Sequence, residues 1–181
     1  MVERWTARSS ERGLGYTLDF IDGAYPEALR HDGARFHHIM QTAPRDDLDV
    51  GDVLITEQDV EEIDAHLAEA GRHRWTILIR DPDGTCVGGT EITFEPWEPS
   101  TAFQQNTGID PAHRGLGLAK WCKAAMLNRL RVERPGVACV RTGNAFSNAP
   151  MLAINDALGF VVISTATEWQ ADAATVRDSL A

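Results

Sequence analysis

A strand that ends in a glycine-rich turn and opens directly into a helix is predicted by Asn106-Thr107-Gly108-Ile109-Asp110-Pro111-Ala112-His113-Arg114-Gly115-Leu116-Gly117-Leu118-Ala119. Glycines at 115 and 117 let the backbone approach a ligand because no Cβ intervenes, and the first N–H groups of a helix have no partner within it. Such N–H groups, together with the helix dipole, favour a bound anion by about 0.3–1 kcal/mol. The pattern therefore predicts a phosphate-binding loop.

Two common phosphate loops do not fit these residues. The loop of nucleotide hydrolases requires Lys and then Ser or Thr after its last glycine, whereas Gly117 is followed by Leu118 and Ala119. The dinucleotide fingerprint requires a third glycine where Lys120 stands. The remaining pattern, Arg114-Gly115-Leu116-Gly117-Leu118-Ala119, resembles the acyl-CoA pyrophosphate loop of the GNAT acetyltransferase superfamily. An ordinary strand-to-helix turn is the alternative interpretation.

The helix after this loop is predicted over residues 116–134, before Pro135-Gly136 ends it. Helical spacing places Leu118, Cys122, Ala125 and Met126 on its buried side. Its other side is basic, although the chain carries a formal net charge of -10. These basic residues are Arg114, Lys120, Lys123, Arg129, Arg131 and Arg134. Solvated side chains are the ordinary explanation, and those nearest the loop are candidates for screening the phosphates of CoA.

A second block with the expected order follows. Residues 137–142 predict a short strand, residues 148–158 a helix opened by Asn148 and closed by Gly159, and residues 160–163 a further strand. This resembles the second conserved block of the GNAT superfamily, in which an Asn opens a helix that ends in Leu-Gly-Phe. The resemblance is strongest to one half of the tandem-GNAT proteins related to mycothiol synthase.

The earlier part of the chain completes the order of elements. Strands are predicted at residues 16–21, 75–79, 86–94 and 102–109, and helices from Pro26 to about residue 41 and from the N-cap Thr56 to Gly71. The order β-α-α-β-β-β-α-β-α-β is that of the GNAT fold. The expected fold class is therefore α/β with a mixed α+β sheet, mostly antiparallel and splayed between the strands before and after the CoA-loop helix, with helices on its flanks.

Composition agrees with one such domain over residues 1–181. With 43% hydrophobic residues, the chain suits a single core. The sequence shows no signal peptide, in which a charged segment precedes an apolar one, and no apolar run of the ~20 residues that a transmembrane helix requires. These features predict a cytoplasmic protein without a membrane partner. Cys86, Cys122 and Cys139 are odd in number and are expected to be small buried side chains rather than disulfides or metal ligands, so no metal is expected.

The resemblance implies where acetyl-CoA, as acyl donor, would bind. In the superfamily the pantetheine arm lies in the gap between the splayed strands, and backbone N–H groups of the loop hold the pyrophosphate. A main-chain donor near Ile109 would stabilise the oxyanion, a contact worth ~2.7–4 kcal/mol in other enzymes. The donor-binding residues implied are Gly108, Ile109, Arg114, Gly115, Leu116, Gly117, Leu118, Ala119 and Asn148.

Two departures from the superfamily pattern concern catalysis. Asn155 stands where many members have a tyrosine that protonates the leaving thiolate, and Phe103 stands where some have a glutamate base. We expect Asn155 to orient the thioester end of the donor. Glu91 is the substitute base, because strand alternation places it with Val87, Gly89, Thr93 and Glu95, opposite Cys86, Ile92 and Phe94, where it can face a cleft. A solvent-facing strand acid is the alternative.

The acceptor is suggested by charge. Between Gln41 and Gly71 there are ten acids and one base, Arg45. The acids are Asp46, Asp47, Asp49, Asp52, Glu57, Asp59, Glu61, Glu62, Asp64 and Glu69. Such a segment attracts a cationic amine and repels nucleic acid, or it is simply a solvated acidic face.

Two functions are compatible with these residues. The first is an N-acetyltransferase that acts on a primary amine of a small molecule. The alternative is a catalytically degenerate GNAT-like module that binds acyl-CoA or has a structural role. A homodimer or a lost partner GNAT domain is a further expectation.

Overall fold

The computed structural model describes residues 5, 15–43, 51, 53–167 and 169–178. Five strands form one sheet: β1 (Thr17–Asp22), β2 (His73–Arg80), β3 (Cys86–Phe94), β4 (Thr101–Ile109) and β5 (Cys139–Arg141). The helices are α1 (Arg30–Met40), α2 (Glu57–Glu69), α3 (Leu118–Glu133), α4 (Ala149–Leu158) and α5 (Ala173–Asp178). Short 3₁₀ turns at Glu27–Leu29 and Pro111–His113 precede α1 and the glycine-rich turn.

The sheet has the order β1-β2-β3-β4-β5. The first four strands are antiparallel neighbours, and β4 and β5 run parallel. A parallel pair requires a long crossover, and α3 supplies it. The predicted fold class, a mostly antiparallel mixed sheet flanked by helices, is confirmed.

Helices cover both faces of the sheet and produce two hydrophobic clusters. On one face α3 contributes Leu118, Cys122, Met126 and Leu130 to a core with Trp75 and other strand residues. On the other face Phe36 of α1 and Val60 of α2 pack with Leu78 and Cys86. Because both faces are covered, β2 and β3 are buried almost throughout rather than on alternate residues.

A β-bulge in β3 changes which side chains share a face. Gly88 pairs with Ile79 but Cys86 pairs with Arg80, so Val87 is the extra residue. The bulge turns Val87 toward the α3 cluster and Cys86 toward the α1/α2 cluster. The predicted alternation was therefore wrong at these two positions, since Glu91 lies on the α1/α2 face with Cys86 and not with Val87. A bulge shifts the face by one residue, and strict alternation cannot anticipate it.

The strand predicted at residues 160–163 does not form. Gly159, at φ 87, closes α4, and the next residues form no ladder with any strand among the described residues. Val161, Val162 and Ile163 are 79%, 77% and 74% exposed. A strand requires a neighbouring strand to satisfy its backbone groups, and apolar sequence alone does not provide one.

Candidate functional site

The candidate site is a split between β4 and β5. The two strands pair through three positions only, Thr101 with Cys139, Ala102 with Val140 and Phe103 with Arg141. Beyond Phe103, β4 continues to Ile109 and pairs with β3 alone among the described strands. One edge of β4 from residue 104 onward therefore faces the split, where an extended ligand can form strand-like hydrogen bonds.

A bulge in β4 lies at the start of this split. Thr90 pairs with Thr107, and Ile92 pairs with Gln104, so Glu91 alone faces two residues, Gln105 and Asn106. A bulge bends its strand and increases the local twist. The β4 bulge thus explains why β4 diverges from β5 at this point.

The glycine loop, residues 114–119, lies beyond the C-terminal end of β4. Gly115 and Gly117 both have positive φ, at 78° and 83°, which L side chains rarely adopt. Residues 114–117 are exposed, and no atom of the described residues lies within 4 Å of a Cβ built on Gly115. Because α3 begins at Leu118, the N–H groups of its first turn have no partner within the helix. The loop therefore fits a diphosphate held by main-chain donors.

Arg114 connects the glycine loop to the body of the fold. Its Nε donates to the carbonyl oxygen of Ile109 at 3.0 Å, and its NH2 donates to Oγ1 of Thr42 at 2.5 Å. The guanidinium is thus used to hold the loop against the end of β4 and the end of α1. The backbone N–H of Arg114 also donates within the fold, to the carbonyl oxygen of Pro111 at 3.4 Å, so donor binding at residue 114 stays a prediction from the sequence.

The two implied donor-binding residues at the end of β4 have different surroundings. Ile109 is buried in the α3 cluster. Gly108 lies under α1, where a Cβ would stand 2.6 Å from Sδ of Met40. The close approach of α1 therefore explains why residue 108 is a glycine.

Asn148 is the N-cap of α4, as the sequence predicted, and its side chain accepts from N–H of Met151 at 3.3 Å.

Glu91 is 3% exposed and belongs to a buried polar cluster beside the β4 bulge. Its Oε1 lies 3.7 Å from Nε of Arg74 and accepts hydrogen bonds from Tyr25 and Thr76 at 3.4 Å each. Its Oε2 accepts from Nδ2 of Asn106 at 3.0 Å. Burial, and then the Glu91 carboxylate, raise the pKa of Tyr25 well above its ordinary value. Glu91 is thus held by a cation on one side and connected to the bulge on the other.

Lys123 is buried, contrary to the expectation that it lies on the basic solvent side of α3. It is 1% exposed, and its Nζ donates to Oδ1 of Asn155 at 2.8 Å. Nζ also lies 5.5 Å from the ring centroid of Phe160. Desolvation lowers the pKa of Lys123 to about 8. The sequence does carry a signal for this burial, because residue 123 precedes the buried Met126 by three positions on the same helix.

Asn155 is 5% exposed and uses both ends of its amide. Its Oδ1 accepts from Lys123, and its Nδ2 donates to Oδ1 of Asn144 at 2.7 Å. Asn144 is exposed in the turn after β5. Sequence reasoning identified Asn155 but missed its two partners, because they come from separate elements.

The remaining basic residues of α3 are mostly engaged with aromatic rings and acids. The guanidinium carbon of Arg129 lies 3.3 Å from the ring centroid of Phe20, and that of Arg134 lies 4.0 Å from Phe94. Arg129 also pairs with Glu133 at 2.9 Å. These cation–π contacts cover the outer end of the α3 cluster and lie at the helix end opposite the glycine loop.

The acidic segment is only partly a free acidic surface. Asp64 pairs with Arg74 and accepts from the backbone N–H of Tyr25, and Asp59 forms a capping box with Thr56. Glu61 pairs with Arg30 at 2.8 Å. Asp46, Asp47, Asp49 and Asp52, with Arg45, lie outside the described residues. Glu62 also accepts from Nε2 of Gln58 at 2.9 Å, and Glu57 lies 3.7 Å from Nδ1 of His31. Five of the six acids that the structure describes therefore have a partner within the protein.

Several solved structures are similar to this chain in fold. A tandem GNAT protein from the clavulanic acid biosynthesis pathway is similar over 80% of this chain, with a TM-score of 0.66 and 24% identity. This chain covers 42% of that protein. Glucosamine-6-phosphate N-acetyltransferase from Arabidopsis thaliana matches over 85% of this chain and 99% of its own (TM-score 0.56, 13% identity). An aminoglycoside N-acetyltransferase in complex with CoA matches over 87% of this chain and 96% of its own (TM-score 0.55, 15% identity).

The chain therefore has the GNAT fold, as the sequence predicted. No protein-family model and no curated protein sequence matches it. The described residues include no helix long and apolar enough to cross a membrane. Over the same residues, no group of three or more His, Cys, Asp or Glu side chains is arranged to hold a metal ion.

Proposed function

We propose that the chain is an N-acetyltransferase that moves an acetyl group from acetyl-CoA to a primary amine of a small molecule. The observation that carries this proposal is the split between β4 and β5, which begins at the β4 bulge and is followed in sequence by the exposed glycine loop at the start of α3. An extended arm fits along the free edge of β4, and a diphosphate fits over the first turn of α3. The solved structure of a GNAT-fold enzyme in complex with CoA supports the same donor.

The chain's own groups supply binding and alignment in this proposal. The first-turn N–H groups of α3 hold the diphosphate, and the β4 edge aligns the thioester with the amine, which accounts for much of the acceleration in bimolecular transfers. The new C–N bond forms as the C–S bond breaks, with one proton leaving the amine. Glu91 is our proposed destination of that proton, directly or through one water, because Asn106 connects its Oε2 to the β4 bulge.

Titration calorimetry with acetyl-CoA tests the donor. Gly115→Val forces a β-branched side chain into a left-handed backbone conformation and places it over the loop, so binding should fall at least tenfold while the fold persists. Gly136→Val is the matched control, because Gly136 is also surrounded by open space and does not have a positive φ. No heat from the unaltered protein with millimolar acetyl-CoA would reject the donor assignment.

Glu91→Gln tests the base. It keeps size and hydrogen bonding but removes basicity, so the maximal rate should fall ~10²–10⁴-fold and the acidic limb of the pH–rate profile should disappear, with donor affinity unchanged. A purely structural Glu91 gives a different result, namely a less stable protein whose acidic limb is retained. Chemical unfolding of both proteins separates the two outcomes.

A degenerate GNAT-like module that binds acyl-CoA is the second candidate, and one observation favours it. Both ends of the Asn155 amide are already used within the protein, so this residue offers no proton to a leaving thiolate. Confirmed acetyl-CoA binding without acetyl transfer across a broad panel of amines would select this candidate. Detectable transfer to any amine of the panel would dismiss it.

A partner domain or a second copy belongs to the same proposal. The chain covers less than half of the tandem GNAT protein that it resembles, and Val161, Val162 and Ile163 are exposed apolar residues next to α4. Exposed apolar residues that are contiguous are typical of interaction surfaces. Sedimentation equilibrium of the unaltered chain and of Val162→Asp tests self-association, which the substitution should weaken.

A further inference from the structure

Three polar side chains form a continuous chain of hydrogen bonds from the core to the exposed segment after β5. Nζ of Lys123 donates to Oδ1 of Asn155 at 2.8 Å, and Nδ2 of Asn155 donates to Oδ1 of Asn144 at 2.7 Å. We call these three residues the Lys-Asn-Asn relay. Exposure increases along it, since Lys123 and Asn155 are buried and Asn144 is exposed.

The lysine determines the direction of the relay. An ammonium group only donates, so the atom of Asn155 that faces it must be the carbonyl oxygen. The other end of that amide is then a donor, and it requires the oxygen of Asn144. The N–H groups of Asn144 are consequently the donors at the outer end of the relay, with no acceptor among the residues that the structure describes. An amide pair without the lysine has no such preference and can flip.

The outer end of the relay lies in the segment that follows β5. The last pair of β4 and β5 is Phe103 with Arg141, and the strands run parallel. β5 ends at Arg141, so Asn144 stands three residues beyond the last pair, in the segment that continues the β5 side of the split. The relay therefore ends in the chain segment that follows β5, next to the split that an extended arm occupies under the proposed function.

The charge of Lys123 is uncompensated within the part of the chain that the structure describes. Its recorded neighbours are Cys122 on α3, Met151 and Asn155 on α4, and Phe160 after α4. The Cys122 thiol has its pKa raised to about 12 by burial and is neutral at physiological pH. A buried cation without a carboxylate is costly, which is characteristic of functional sites more than of structural ones.

We propose that the Lys-Asn-Asn relay stabilises the sulfur anion of CoA as it leaves, with Asn144 donating the hydrogen bond and Lys123 acting as the positioning residue behind it. This inference rests on the proposed function. When the C–S bond breaks, its electron pair stays on sulfur, and the relay donates a hydrogen bond without transferring a proton, because amides do not pass protons on. The thiolate is protonated by water after it dissociates. Asn155 thus serves as a rigid connection instead of an acid.

The sulfur specificity of binding tests the relay without requiring an acceptor. The unaltered protein should bind CoA roughly tenfold more tightly than desulfo-CoA at pH 8, since a hydrogen bond to a charged group has about that effect. Lys123→Met should reduce this preference to about twofold or less. Asn144→Ala should do the same from an exposed position that does not threaten folding. Arg131→Met is the matched control, because Arg131 is an exposed cation of the same helix that bonds to Asn128, and it should retain the preference.

A second measurement distinguishes a positioning role from a structural one. The Lys123 side-chain resonance, followed by NMR against pH, should show a pKa that rises when CoA binds and stays constant when desulfo-CoA binds, because only the former brings an anion near the relay. Equal affinities for CoA and desulfo-CoA would overturn the relay while leaving donor binding intact. Failure to bind either compound would overturn the proposed function and the relay together.

Discussion

The buried ammonium of Lys123 should make the stability of the fold depend on pH in a way that one substitution removes. Desolvation lowers its pKa from 10.5 to about 8 in the folded protein. Between these two values the unfolded chain holds a proton that the folded protein has lost. The unfolded state therefore binds more protons, and the free energy of unfolding rises with pH over this interval.

The magnitude follows from the same two values. Where the difference in bound protons approaches one, the slope is ~1.36 kcal/mol per pH unit. Across the interval from about 8 to 10.5, the free energy of unfolding should rise by about 3 kcal/mol. In Lys123→Met the group is absent, so this increment disappears. The variant also leaves Oδ1 of Asn155 without its donor, which changes the stability at every pH by a constant of about 1–3 kcal/mol and does not alter the slope.

Urea unfolding at pH 7, 8, 9 and 10 measures the effect. The difference in unfolding free energy between the unaltered protein and Lys123→Met should grow steadily in favour of the unaltered protein above pH 8. The exposed-site variant Arg131→Met should give a curve parallel to that of the unaltered protein, because Arg131 remains charged in both states. Parallel curves for Lys123→Met and the unaltered protein would refute the argument, since they would show that the ammonium is solvated.

Three further substitutions test the packing around the site, each by chemical unfolding. Arg74→Met should cost about 3–5 kcal/mol, because it leaves two buried carboxylates without their cation, and a loss under 1 kcal/mol would contradict that pairing. Thr56→Ala should cost about 1 kcal/mol by removing the N-cap of α2, whereas an unchanged unfolding midpoint would show that the cap does not stabilise the fold. Gly88→Ala should cost about 2–3 kcal/mol, since its Cβ would stand 2.3 Å from a backbone oxygen, and a neutral result would mean that β3 shifts freely.

Much of the donor side of the candidate site was predictable from sequence because its elements are local. A positive φ at Gly115 and Gly117, a helix beginning at Leu118 and a cap at Asn148 each depend on a few neighbouring residues. The catalytic side was less predictable. Glu91 was correctly placed on a strand, but its neighbouring cation, Arg74, lies on β2 and its amide partner, Asn106, lies in the β4 bulge.

Sequence by itself determined the order of elements, the mixed sheet and the position of the glycine loop, because propensity, capping and turn chemistry act over a few residues. Tertiary structure decided three other matters. It placed the bulge that exchanges the faces of Cys86 and Val87, it left residues 160–163 without a ladder partner among the described strands, and it buried Lys123 against Asn155. Each outcome depends on a backbone or side chain that is distant in sequence. The contributions that decide it, a hydrogen bond between strands or the desolvation of a charge, arise only when those segments pack together.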